Sequence, residues 1–359
     1  MTLTSLAQNR WLRVGFVLAL SAGVAVLFWW RGPDWGQVGN AFTIVRWEWV
    51  VVAVGLNLLS VLFRAVAWKI VIDQALAKPH PRFMLVFSAF SIGLFANAVL
   101  PGRIGELARV AVLNRRMPAR RGLWATLVGT VFAHRVFDLP PVLMLIAFVA
   151  FTAKIPHWAA ASLAGFVIVG IGLFAFAIAS AKHQDRSPLD GFGAARRLIE
   201  MGRYGLAVMK TPWAAAQAIF FQTLGWVFQI FAVWTTMRAF HIYEGLPAAG
   251  EVLLLMNVAT IFPLWPGNVG LVQAAVALPL VRYGVSYARG FAFGIGLQAI
   301  EASVGVGVGL LFLAREGLSF AMLKRMPDAG QAEVPEEEAD AGTGSAGEPE
   351  RRLIGARRR

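Results

Sequence analysis

Apolar residues dominate six stretches of the chain, roughly 11–30, 49–72, 123–151, 158–181, 213–237 and 288–314. Each supplies the roughly 20 residues that an α-helix needs to cross the hydrocarbon core of a bilayer. Two further apolar stretches are broken in the middle. Residues 83–100 run into Pro101-Gly102-Arg103-Ile104-Gly105-Glu106 and resume a helical pattern to Arg116; residues 248–265 run into Pro266-Gly267-Asn268-Val269-Gly270 and resume to Arg282. Both breaks carry Pro-Gly-x-x-Gly. The pattern predicts an all-α polytopic membrane protein.

Each broken segment can either cross the membrane or dip in and return, and the loop lysines and arginines discriminate between the two. With eight crossings, the 24 loop Lys/Arg of residues 1–325 divide 10 to 14, with the smaller share on the side of the amino terminus. With six crossings and two re-entrant hairpins, 18 of the 24 fall on one side. That bias favours six transmembrane helices, two re-entrant hairpins, and both termini in the cytoplasm. The same arrangement makes the chain a repeat: Pro101 and Pro266 are 165 residues apart, and adding 165 to the starts of the spans at 49 and 123 gives 214 and 288. Asn57 matches Gln222 and Arg64 matches Gln229 at that offset, each pair of positions seven apart along its own helix and so on one face. Three crossings per half is an odd number, so the halves, about 11–151 and 158–314, are expected to be inverted, as in many transporters.

Composition agrees. Of 359 residues, 58% are AVILMFWYC, 36 are Gly and only 15% are charged, and the mean hydropathy is +0.63. Such a chain is too apolar for one water-soluble core. The net charge of +13 sits mostly in short loops and reads as a topology and lipid-surface signal, not as a nucleic-acid site. With no cysteine, disulfides, thiolate metal sites and cysteine nucleophiles are excluded. The run at 11–30 ends in Trp29-Trp30 without a small-residue cleavage site and reads as a retained span. Residues 182–212 fit a cytoplasmic linker that is either a plain loop or an amphipathic helix lying on headgroups. Residues 326–359, with eight acidic and five basic residues, read as a disordered charged tail beyond a transmembrane domain at 1–325.

A Pro-Gly break at membrane depth frees backbone groups that lipid cannot satisfy, so it must line a polar cavity or lie packed within protein. A helix restarting there aims its N-terminal N–H groups and positive dipole end inward, toward an anion such as phosphate. Arg103 and Arg109 strengthen the first site, and Asn268 is placed to cap the second helix. Packing alone is the competing role for Gly102, Gly105, Gly267 and Gly270, and dipole complementation the competing role for Glu106. In the third span, His134-Arg135-Val136-Phe137-Asp138 puts Arg135 and Asp138 one turn apart inside an apolar run, a costly arrangement that is functional by default. Adding 165 lands beside Gln298 and Glu301. No Walker A, His-Glu-x-x-His or clustered metal-ligand motif is present in the sequence, and no cofactor is expected.

The combination Asn97…Pro101-Gly102-Arg103-Ile104-Gly105-Glu106…Arg109, Arg135…Asp138 and Phe262-Pro263…Pro266-Gly267-Asn268-Val269-Gly270 resembles the lysylphosphatidylglycerol synthase transmembrane region, a flippase-like family, over about residues 11–315. The chain looks like a stand-alone member without the soluble aminoacyl-transfer domain. Gln273 stands where the family usually carries an acidic residue, and His134 where one commonly precedes the Arg. The resemblance implies an amphipathic lipid moved or presented between leaflets of a bacterial inner membrane, with isoprenoid, hopanoid or glycolipid biosynthesis enzymes as possible neighbours. The sequence therefore favours a translocator of an anionic, phosphate-bearing or isoprenoid lipid. The anion would be held by Asn97, Pro101, Gly102, Arg103, Gly105, Glu106, Arg109, Pro266, Gly267, Asn268, Gly270 and Gln273. A polar network of Arg64, His134, Arg135, Asp138, Gln229, Gln298 and Glu301 would stand beside them. A polyprenyl-phosphate transferase, a scaffold and a small-solute transporter are the alternatives.

Overall fold

Long runs of Leu, Val, Ile, Ala and Phe favour helix once the backbone must satisfy its own hydrogen bonds in lipid. The computed structural model describes residues 32–99, 104–118, 120, 122–155, 211–260 and 268–315, with scattered helical positions between 161 and 172. The expected first span, most of the fourth, the 182–212 linker except its last two residues, the tail, and Pro101, Gly102, Arg103, Pro266 and Gly267 lie outside the described residues. Among the described residues there is no strand. The helices are α1 (Trp35–Thr43), α2 (Trp47–Ala75), α3 (Phe83–Val99), α4 (Gly105–Arg116), α5 (Leu123–Val136), α6 (Leu139–Thr152), α7 (Pro212–Ala239), α8 (Leu246–Ala259), α9 (Leu271–Val281) and α10 (Tyr287–Arg315).

Four helical stretches are long and apolar enough to cross a membrane: α2, α5 with α6, α7, and α10. They match the expected spans at 49–72, 123–151, 213–237 and 288–314. Their outward faces are apolar too: Val51, Leu59, Met144, Phe220 and Leu311 are exposed along the helices, while Trp47, Trp213, Phe151 and Tyr243 are exposed near their ends. That is the surface expected of a protein solvated by lipid chains with aromatic residues at the headgroup level. The sequence predicted one unbroken helix over 123–151; the structure has two, joined through Phe137 and Asp138. Pro140 and Pro141 lack the N–H groups an unbroken ladder would need there.

α2 and α7 form the most extensive helix–helix contact and run antiparallel. At one end the Arg46 N–H donates to the Ala239 carbonyl (3.1 Å); at the other the Thr211 hydroxyl donates to Gln74 Oε1 (3.2 Å). Positions 46 and 211, and 74 and 239, are each 165 apart, so the two end contacts exchange under that offset. At the centre the Ser60 hydroxyl donates to the Gly225 carbonyl (2.7 Å), again at separation 165. Phe63 stacks on Phe228, the same separation, with centroids 5.2 Å apart.

The shorter helices follow the same scheme. α3 packs on α4, and Arg120 beyond α4 donates to the carbonyls of Ala77 (2.6 Å) and Lys78 (3.0 Å) before α3. The pair is therefore a helical hairpin whose ends meet. α8 packs on α9, and Arg282 after α9 contacts Glu251 in the second turn of α8. Because α3 follows α2 and α8 follows α7, the two hairpins start from opposite ends of the bundle. Their partners correspond as well, with α3 against α10 and α8 against α6.

Candidate functional site

The polar side chains of the long helices lie near their midpoints. Asp138, at the α5–α6 junction, is buried and gathers three donors: Trp226 Nε1 (3.1 Å), the Gln222 side-chain amide, and Arg135 Nη1 (3.3 Å). Gln222 and Trp226 are four apart and share one face of α7. Arg135 also donates through Nε to Glu106 Oε1 (2.8 Å), with a second contact through Nη2. Glu106 opens α4, where its charge suits the helix dipole; its pairing with Arg135 ties that hairpin to the third span.

Arg109, expected to face an anion, is buried with its guanidinium 4.7 Å from the Trp68 ring and 5.5 Å from Phe90, and its Nη2 lies 3.9 Å from Glu106 Oε2. Trp68 is itself held by a hydrogen bond to Thr130 (3.2 Å). His134 packs edge-on against Phe90. Among the described residues, Arg109 Nε and Nη2, His134 Nδ1, Arg64 Nε and Gln222 Oε1 are buried without a hydrogen-bond partner. Apart from Glu106, the side chains against the Arg109 guanidinium are the Trp68 and Phe90 rings, so cation–π attraction stands in for water on that side.

Arg64 joins this group to the other half. Its guanidinium lies 4.7 Å over the Trp226 ring and donates from Nη2 to Gln229 Oε1 (2.9 Å). Gln229 Nε2 donates in turn to Glu301 Oε1 (2.9 Å), at the middle of α10. The sequence-matched pair Arg64 and Gln229 is thus in direct contact. A chain runs from Glu106 through Arg135, Asp138, Trp226, Arg64 and Gln229 to Glu301.

The second break forms a separate, uncharged group. The Asn97 side chain accepts from the Gly105 N–H (2.9 Å); at the position 165 residues later, the Gly270 N–H is taken by the side chain of Gln273. Each restarting helix therefore has one N–H occupied by a side-chain amide. Gln273 also donates to Gln298 on α10. Asn268, expected to cap α9, instead turns its Nδ2 back to the Ala259 carbonyl ending α8 (2.9 Å). It adopts a left-handed φ of 45°, and in that conformation its side chain reaches the preceding helix. Gly105 also has the packing role weighed against function: a Cβ on the facing Gly93 would stand 2.7 Å from the Gly105 carbonyl.

Three participants were not singled out from sequence: Trp226, Gln222 as a ligand of Asp138, and Trp68 beneath Arg109. Spacing offered a signal for the first two, since Gln222, Trp226 and Gln229 fall at i, i+4 and i+7. Glu251, the one carboxylate within α8, also escaped notice. It is buried and is met by Arg282 and by the Tyr283 hydroxyl (3.1 Å), while Arg282 Nε grips the Lys154 carbonyl (2.9 Å). No group of three or more metal-ligating side chains occurs among the described residues.

The model of the lysylphosphatidylglycerol synthase TM region matches residues 12–309. A UPF0104 membrane protein of Pyrococcus horikoshii is 27% identical over 127 residues, covering 35% of this chain and 37% of that protein. The chain thus spans little more than a third of the relative's length, and no solved structure matches it. The matched residues take in both hairpins, the α2–α7 pair and the charged chain between them, and so the protein belongs to the lysylphosphatidylglycerol synthase transmembrane-region family.

Proposed function

We propose that this protein is a lipid translocator of a bacterial cytoplasmic membrane. It would carry the polar headgroup of an anionic, phosphate-bearing or isoprenoid-type lipid between leaflets without chemically altering the lipid, and lipid-biosynthesis enzymes would supply its cargo. In this reading six helices cross the bilayer, the α3–α4 and α8–α9 hairpins are re-entrant, and the two halves are an inverted repeat. The end of the bundle holding Gln74 and Thr211 faces the cytoplasm with both termini. The observation that carries the reading is the chain of charged and amide side chains at mid-length of four helices long enough to span a membrane. Charge at that depth is expensive in hydrocarbon and is kept where it serves a polar path. A headgroup passing between the hairpins would exchange water for Arg135, half exposed beside Glu106, while its acyl chains stayed in lipid.

The test is a proteoliposome assay with headgroup-labelled phosphatidylglycerol in both leaflets and an impermeant quencher outside. Translocation raises the quenched fraction above one half in wild type, and Arg135→Gln slows the rise at least tenfold. Quenching that stops at the outer leaflet for phosphatidylglycerol, and likewise for a polyprenyl phosphate, refutes the reading.

A further inference from the structure

The charges of the central polar chain, with Arg109, balance among the described residues: Arg64, Arg109 and Arg135 against Glu106, Asp138 and Glu301. They are not evenly paired. Glu106 lies against Arg135 and 3.9 Å from Arg109, and Asp138 has Arg135 at 3.3 Å. Among the described residues Glu301 is in no ion pair; its partner is the neutral amide of Gln229, which lies between it and Arg64. α10 packs on α1, α2, α3, α7 and α9. Of these, α1, α3 and α9 carry no charged side chain. α7 contributes Gln229 near Glu301 and has its one charge, Arg238, at its far end; α2 contributes Arg64. On α10 itself the charges besides Glu301 are Arg289 and Arg315, at its two ends, while Gln298 is bonded to Gln273.

A carboxylate at membrane depth with no counter-ion is costly to ionise, whereas a carboxylic acid there costs little and can still accept from an amide. Of the three carboxylates, Glu301 is the one whose direct partner is an uncharged amide, with Arg64 reaching it only across Gln229. We infer that Glu301 is a proton-binding site and that an anionic headgroup and a proton enter the protein together. This inference rests on the translocator reading for its lipid arm. A headgroup bearing one negative charge, added beside three cations and three carboxylates among the described residues, is offset when one of those carboxylates takes up a proton. A proton from water onto a Glu301 carboxylate oxygen restores neutrality and returns to water when the headgroup leaves; the O–H bond is the only bond made or broken.

Binding of short-chain phosphatidylglycerol to wild type and Glu301→Gln, measured calorimetrically in buffers of different ionisation enthalpy, counts the protons. On the alkaline side of the Glu301 titration, wild type takes up close to one proton per lipid and its affinity falls about tenfold per pH unit. Glu301→Gln, which keeps the contact with Gln229, binds with pH-independent affinity and takes up none. Proton uptake that persists in Glu301→Gln, or wild-type binding without uptake at every pH, overturns the inference. Infrared spectroscopy separates its two parts. A protonated-carboxyl band that titrates in wild type and vanishes in Glu301→Gln, with no phosphatidylglycerol bound at any pH, keeps the proton site and removes the lipid reading. Lipid binding with no such band removes the proton site alone.

Discussion

Replacing Asp138 by alanine should be the most damaging single change in the polar chain. The substitution strips three donors of their acceptor at once: Trp226 Nε1 at 3.1 Å, the Gln222 amide, and Arg135 Nη1 at 3.3 Å. Hydrogen bonds to a charged group contribute about 1.5–3 kcal/mol each, and removing one member of a buried charge pair costs about 3–5 kcal/mol. Arg135 keeps Glu106 and its side chain is 50% exposed, so its share is discounted, and the expected loss is about 3 kcal/mol. Asp138→Asn keeps one acceptor for Trp226 or Gln222 and should lose about half as much. The assay is reversible unfolding in mixed dodecyl sulfate and dodecyl maltoside micelles, followed by far-ultraviolet circular dichroism. A double-mutant cycle with Trp226→Phe should return a coupling of about 1.5 kcal/mol or more. Asp138→Ala within about 0.5 kcal/mol of wild type, or strict additivity with Trp226→Phe, would refute the argument that Asp138 ties the α5–α6 junction to α7.

Other consequences are open to direct measurement. Gly93→Ala sets a Cβ 2.7 Å from the Gly105 carbonyl and 3.2 Å from Arg109 Cβ and should cost about 1–3 kcal/mol in the same assay. Gly55→Ala meets nothing within 4 Å and should be neutral or stabilising by about 0.5–1 kcal/mol; equal effects would contradict the close α3–α4 approach. Arg282→Met leaves Glu251, 3% exposed, without its cation, and should destabilise by about 2 kcal/mol, with Glu251→Gln/Arg282→Met recovering most of the loss. Because the chain lacks cysteine, single cysteines at Lys78 and Arg120 can be labelled with an impermeant maleimide in spheroplasts and inverted vesicles. Both should react from the cytoplasmic side, and labelling from opposite sides would sink the re-entrant reading.

Much of this architecture was readable from hydropathy and a single offset. Runs of apolar residues locate the long helices because lipid imposes the same demand on every residue of a span. The 165-residue spacing linked Arg64 to Gln229, which are in hydrogen-bond contact. The break at Phe137 and Asp138 was hidden because hydropathy registers Leu139-Pro140-Pro141 as apolar and is blind to the missing N–H groups. The setting of Arg109 was illegible for a different reason: Trp68, Phe90 and Thr130 come from three other helices, and no local pattern records that they converge. Asn268 was misassigned because a capping residue next to a helix start is normally read forward, whereas its left-handed backbone turns the side chain back toward Ala259.

The contact between α2 and α7 constrains how anything in this molecule can move. A pair joined at its centre by Ser60 and Gly225 and at its two ends by Arg46 with Ala239 and Thr211 with Gln74 cannot tilt internally without opening one of those ends. The pair is about 40 Å long, at 1.5 Å per residue. The two hairpins rest on that pair or its neighbours, α3 on α10 and α8 on α6 and α7, and each has its own ends closed, one by Arg120 on the Ala77 and Lys78 carbonyls and the other by Arg282 on Glu251. In the proposed transport cycle, moving either hairpin would therefore mean parting it from these helices, and for the first also Arg135 from Glu106, while α2 and α7 stay joined.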